Sequence, residues 1–198
     1  MSDIMLTLYF CPGSSSMAPH VALHEIGAPF EGKAISLSKK ENREPAFLAI
    51  NPEGKVPTLL VDGRAMTEVA AILFYLAKRF PDANLLPQGD IEAEAQVISW
   101  MSFVAATIHP ARRQGLEYAR TVWELAEARL GNREWTVGGR YSIADIHLFR
   151  LFWRFRDSLK PGPGEFPHLN AHYDRMMARA AVKKTIGVES AIGYALPP

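Results

Sequence analysis

The chain has 198 residues, 48% apolar and 22% charged, enough to bury a real core and too apolar for a disordered segment. Its net charge of +1 gives no field to recruit nucleic acid or an acidic membrane, and no apolar run approaches the roughly 20 residues of a membrane-spanning helix. The single cysteine, Cys11, excludes an internal disulfide, and Met1-Ser2-Asp3 lacks the basic start of a secretion signal; both predict a cytoplasmic protein.

Ile4–Phe10 reads as a buried strand, followed by the turn Cys11-Pro12-Gly13-Ser14-Ser15-Ser16 and a helix that Gly27 stops. Pro19 is tolerated only in a first turn, so this helix begins near Ser15 or Ser16. A second strand fits Lys33–Leu37, and a short helical segment surrounds Pro45–Ala49. Val56–Val61 and Ala65-Met66 form a hairpin about Asp62-Gly63, a strong turn dipeptide. A helix from about Thr67 to Phe80 completes a βαβ, connecting helix, ββα order, which yields a small mixed sheet with helices on both faces. Residues 82–89 are a linker between a domain over 1–81 and an all-helical domain over 90–198. The expected helices there are Ile91–Ile108, bent or ended by His109-Pro110, then Gln114–Leu130, Ser142–Ser158, His168–Ala178 and Val182–Gly187, with a loop at 160–164.

The serine turn carries the chemistry. Free N–H groups and the positive dipole end of a helix favour an anion, and a hydroxyl among them can donate to a thiolate. A thiol near pKa 8.5 is only about 3% ionised at pH 7, and lowering it by about two units needs roughly 2.7 kcal/mol. One hydrogen bond to a charged group gives about 1.5–3 kcal/mol and a helix end about 0.3–1, so one hydroxyl is enough. A plain N-cap serine is the competing reading. Val56-Pro57 puts a proline just inside a strand, where the backbone must be exposed or bulged. Ser142 and Asp145 have the spacing of a capping box, with Tyr141 and Ile146 as a hydrophobic staple; that role is folding. His20 and His24, like His168 and His172, lie one turn apart, but no third ligand stands at a recognisable spacing, so no metal site is expected.

The layout over essentially the full length resembles the glutathione transferase family, and most of all its bacterial beta class. Asn51-Pro52-Glu53-Gly54-Lys55-Val56-Pro57 is similar to the family's loop, and Ser142-Ile143-Ala144-Asp145 to a family marker. The resemblance implies a thioredoxin-like α/β N-terminal domain with a four-stranded mixed sheet, an all-α C-terminal domain, and a homodimer. It implies glutathione as co-substrate, with a cis Pro57 and the backbone of Val56 on the cysteinyl part, Glu68 and the Val69 backbone on the γ-glutamyl end, and Lys40 of the Lys39-Lys40 pair on the glycyl carboxylate. A solvated basic pair is the alternative for the lysines. Val69 departs from the family, which has Ser, Gly or Asn there. The resemblance also assigns Trp100, Phe103, Val104 and His109 to the pocket for a hydrophobic electrophile, with a structural histidine as the alternative for His109.

The beta-class cysteine falls on Ser15, which replaces mixed-disulfide chemistry with activation of glutathione by a hydroxyl. Cys11-Pro12-Gly13-Ser14 resembles instead the Cys-Pro-x-Ser of omega-class and glutaredoxin-like proteins, in which a thiol at a helix start is acidified. The Ser15-to-Gly27 interval favours Ser15, with Ser14 and Ser16 close behind. Three readings therefore stand: a serine-type glutathione transferase, a thiol–disulfide oxidoreductase using Cys11, and a binding module that has kept the fold alone.

Overall fold

The computed structural model describes residues 4–159 and 161–194; Lys160, the first residue of the expected 160–164 loop, lies outside them. Contacts divide the chain into two units, Met1–Leu76 with Ala180–Pro198, and Ala77–Arg179.

The first unit is built on β1 (Leu6–Phe10), α1 (Met17–Ile26), β2 (Glu31–Ala34), α2 (Pro45–Leu48), β3 (Thr58–Val61), β4 (Arg64–Thr67) and the start of α3 (Val69–Arg79). The sheet order is β2-β1-β3-β4, with β1 parallel to β2 and antiparallel to β3, and β3 antiparallel to β4. Neighbouring side chains on a strand face opposite ways, and Leu6, Thr7 and Leu8 are all buried, so β1 is covered on both faces. Leu8 lies opposite Leu59 at the centre. Asp62 and Gly63 have φ of 50° and 80°, the two left-handed residues of a tight hairpin turn. β2 is shifted from the expected Lys33–Leu37. The ladder ends with Ile35 N–H on the Phe10 carbonyl at 2.7 Å, and Glu41 then takes over by accepting the Ser36 N–H at 2.7 Å.

The last helix, α9 (Ala180–Ile192), is longer than the expected Val182–Gly187 and packs on α1. Val182, Thr185 and Glu189 are its buried side, spaced as one helix face. Sequence reading grouped it with the helical region; its contacts are with the first unit.

The second unit holds α4 (Ile91–Phe103), α5 (His109–Ala111), α6 (Leu116–Leu130), α7 (Ile143–Leu159) and α8 (Pro167–Ala178). Val104–Ile108 is a π-helical turn in which His109 N–H reaches the Val104 carbonyl. His109-Pro110 was expected to bend or end the helix. Pro110 has no N–H to give Ala106, and the wide turn ahead of it absorbs that break, so the helical path continues to Gln114. The box at α7 forms: Asp145 accepts the Ser142 N–H at 2.8 Å, and also the Thr136 N–H at 2.8 Å and His172 Nε2 at 3.1 Å. Glu127 of α6 caps α8 from outside, accepting the N–H groups of His168 and Leu169 at 2.8 and 2.9 Å. Among the described residues no helix is long and apolar enough to cross a membrane.

Candidate functional site

The turn 11–16 is held by its own polar groups. Gly13 has φ 71°, a left-handed conformation that suits glycine. Ser14 N–H donates to the Cys11 carbonyl at 3.0 Å. Ser16 Oγ accepts the Cys11 N–H at 3.0 Å and donates to the Cys11 carbonyl at 3.1 Å. Ser14 Oγ lies 2.7 Å from Ser16 Oγ and accepts the Ser16 N–H at 3.2 Å. With Ser16's proton on the carbonyl, Ser14 donates to Ser16. Both hydroxyls are buried and engaged. Ser15 differs: it is half-buried, and neither its hydroxyl nor its N–H makes a hydrogen bond among the described residues. It lies two residues ahead of α1, so a group reaching it meets the positive end of the helix.

From below, α9 fixes this turn. Glu189, with 0% exposure, accepts the Gly13 N–H at 2.7 Å and His20 Nδ1 at 2.8 Å. Alongside, His24 Nδ1 donates to Thr185 Oγ1 at 2.8 Å, since that hydroxyl gives its own proton to the Ala181 carbonyl.

A second backbone edge is open. The Val56–Pro57 bond is cis, and the N–H and C=O of Val56 make no hydrogen bond among the described residues. Asn51, buried, sets this loop: its Nδ2 donates to the Lys55 carbonyl and Thr58 Oγ1 at 2.9 and 3.0 Å, and its Oδ1 accepts the Glu53 N–H. Gly54 is forced, because a Cβ there would stand 2.7 Å from the Arg43 guanidinium and 2.8 Å from the Asn42 carbonyl. Glu68 is exposed, makes no ion pair among the described residues and stands at φ 68°. A non-glycine residue in this region costs about 1–3 kcal/mol and persists where the surroundings impose it, often at ligand clamps. The N–H groups of Val69 and its neighbours open α3 and are of the kind a helix leaves unbonded.

The N-terminal domain family of glutathione S-transferases matches residues 5–78, and its C-terminal domain family matches 101–180. A glutathione S-transferase of Escherichia coli is 33% identical over 93% of this chain and 98% of its own length. The chain belongs to the glutathione S-transferase family. A Sulfitobacter glutathione transferase homologue solved with bound glutathione superposes with a TM-score of 0.84 at 29% identity, covering 96% of this chain and 99% of that one. A beta-class enzyme of Sphingomonas chungbukensis gives 0.81 at 31% identity, over 92% and 98%.

Against this family background the expected residues separate. Cys11 is 1% exposed, its Sγ lies 3.9 Å from the Pro12 carbonyl, and burial pushes its thiol up, helped by the Glu189 and Glu41 charges. A thiol held protonated and out of solvent is a poor nucleophile, contrary to the oxidoreductase expectation. Lys39 and Lys40 are exposed and make no ion pair among the described residues. Trp100 and Val104 are buried, Trp100 beneath the Arg129 guanidinium, which stands 4.5 Å from its ring. Of the four expected pocket residues, half-buried Phe103 and exposed His109 present surface. Among the described residues no group of three or more potential ligands could hold a metal ion. Sequence reading missed Glu189. Its signal was a carboxylate falling on the apolar face of a helix, in step with Val182 and Thr185.

Proposed function

We propose that this chain is a serine-type glutathione transferase. Glutathione binds the first unit as an added strand, its cysteinyl N–H and C=O pairing with the open backbone of Val56. Its γ-glutamyl carboxylate takes the N–H groups opening α3, and Glu68 takes its ammonium. Lys40 reaches the glycyl carboxylate. The thiol then faces Ser15, whose hydroxyl donates to the sulfur and stabilises the thiolate. The thiolate attacks an electrophilic carbon: on an aryl halide a C–S bond forms, the C–Cl bond breaks, chloride leaves with the bonding pair, and the thiol proton goes to solvent. Phe103 and His109 line the acceptor side. The active form is a homodimer.

The single observation that carries this reading is the free hydroxyl of Ser15 between two engaged ones. The bound thiol is titrated by the ultraviolet absorbance of its thiolate, alone and with Ser15→Ala. We expect a value about two units below the free thiol, restored upward in Ser15→Ala, with turnover of chloronitrobenzene down roughly 10- to 100-fold. A titration that moves in Ser14→Ala and not in Ser15→Ala transfers the role to Ser14. A bound thiol no more acidic than the free one reduces the chain to a glutathione-binding module.

A further inference from the structure

Within the first unit, the Lys39-Lys40 pair and the loop ahead of Val56 are tied together by side chains. Lys40 stands at φ 60°, a left-handed conformation that a lysine holds only where its surroundings impose it. Here they act from both sides. The Lys40 N–H donates to the Leu37 carbonyl at 3.1 Å, and its own carbonyl accepts the Arg43 N–H at 2.8 Å. Lys40 thereby opens the 3₁₀ turn Glu41–Arg43. Glu41 closes back on Ser36, its carboxylate accepting the Ser36 N–H at 2.7 Å and its N–H donating to the Ser36 carbonyl at 3.0 Å. From this turn Asn42 Nδ2 donates to the Gly54 carbonyl at 2.7 Å, and Arg43 Nη1 to the Glu53 carbonyl at 3.2 Å. Asn51 takes the Lys55 carbonyl at 2.9 Å. Three consecutive carbonyls ahead of Val56 are thus occupied, two of them from the lysine turn, and the carbonyl of Val56 itself is left open.

We propose that Asn42 is a positioning residue for glutathione, fixing Lys40 at the distance from Val56 that the tripeptide requires. The role rests on the glutathione reading, with the cysteinyl unit on Val56 and the glycyl carboxylate on Lys40, and adds what sets their separation. In an extended ligand the glycyl residue lies one step of about 3.3 Å beyond the cysteinyl unit, so a turn that slides against the loop loses one contact or the other. An exposed lysine gains little from a carboxylate when its long side chain must first be ordered. A turn anchored through Asn42 supplies part of that order in advance. Arg43 is exposed and makes the longer of the two bonds, whereas Asn42 is half-buried and makes the shorter, so Asn42 carries the link.

The test sets glutathione against its glycyl monoethyl ester, which keeps the thiol and the γ-glutamyl end and lacks the glycyl carboxylate. In calorimetric titration of the intact protein, glutathione should bind roughly fivefold more tightly than the ester, as for one exposed ion pair. Lys40→Met should abolish that preference. Neither Asn42→Ala nor the isosteric Asn42→Asp can donate to the Gly54 carbonyl, and both should bring the preference close to one by weakening glutathione and not the ester. Asn42→Gln should recover part. Lys40→Met should then cost nothing further in the Asn42→Ala background, because the two act through one contact. In turnover with chloronitrobenzene, Asn42→Ala should raise KM for glutathione by the same factor and lower kcat by less. The preference is a ratio of two ligands on one folded protein, so a lower melting midpoint alone does not move it. A preference that survives Asn42→Ala, or equal weakening of both ligands, overturns the proposal while the transferase reading stands, since Asn42 would then serve the fold alone. A preference absent from the unaltered protein, or one that survives Lys40→Met, also overturns it by taking the glycyl carboxylate away from Lys40. Failure of both ligands to bind ends the glutathione reading itself and the proposal with it.

Discussion

Ser15 and Cys11 lie four positions apart in one turn, and burial separates them. Cys11 sits under the turn with its thiol held protonated, whereas Ser15 keeps an open hydroxyl. Cys11→Ser should therefore leave the conjugation rate within about twofold, because an inaccessible thiol contributes no charge to the reaction. Iodoacetamide should modify native Cys11 far more slowly than the unfolded chain. A large loss of conjugation in Cys11→Ser, or fast native alkylation, would bring the thiol back into the mechanism. The sequence named all four candidates of the turn and favoured Ser15 on its interval to Gly27, with Ser14 and Ser16 too close behind to separate by hydrogen bonding. Their rank depends on which hydroxyls close on Cys11's backbone, and that needs the turn in three dimensions.

At the scale of elements, α9 acts through contacts whose partners no local pattern could announce. Gly13 and Glu189 are 176 positions apart, while the strands, the hairpin and the capping box were legible because turn residues and short spacings encode them. The end of the α4 helix was misjudged for a similar reason: a π-helical turn has no residue signature, and only the proline that needs it is visible. Glu189→Ala strands the Gly13 N–H and His20 Nδ1 in the interior. The expected loss is about 2–4 kcal/mol, which lowers the melting midpoint by roughly 5–15 °C for a chain of this size and raises KM for glutathione. An unchanged midpoint would mean that water replaces the carboxylate. Acid adds a second element-scale expectation. Burial, with Arg150 and His109, lowers His147 to about 3, and burial with His20 and Lys184 lowers half-buried His24 to about 4, both from 6.5. The unfolded chain binds these protons first, so stability is full above pH 6.5 and falls as pH drops toward 4. His147 accounts for about 2 kcal/mol of loss at pH 5, and His24 for less because water screens it. Melts at pH 7.5 and pH 5 should separate by several degrees, and His147→Leu should narrow the gap. Equal melts at the two pH values would mean that neither imidazole is held neutral.

For the whole molecule, the apolar residues of α4 bear on assembly. Along α4 and into the π-helical turn, Ile91, Val97, Ile98, Met101 and Val104 divide into two groups. Val97, Met101 and Val104 are buried at helical spacing and serve the core. Ile91 and Ile98, two turns apart, are 88% and 40% exposed. A spacing of seven puts both on one side of the helix, and two large aliphatic side chains left in water there are a surface that a second copy would cover. A symmetric pair is also the commonest arrangement of soluble oligomers. Light scattering at micromolar concentration should give about twice the 22.0 kDa of one chain. Ile98→Lys, placed on both sides of a two-fold contact, sets two like charges in an apolar seam and should move the mass toward a single chain without changing the melting profile of the monomer. A mass of one chain in the unaltered protein would mean that each site is complete in one copy. A dimer indifferent to Ile98→Lys would move the contact away from α4.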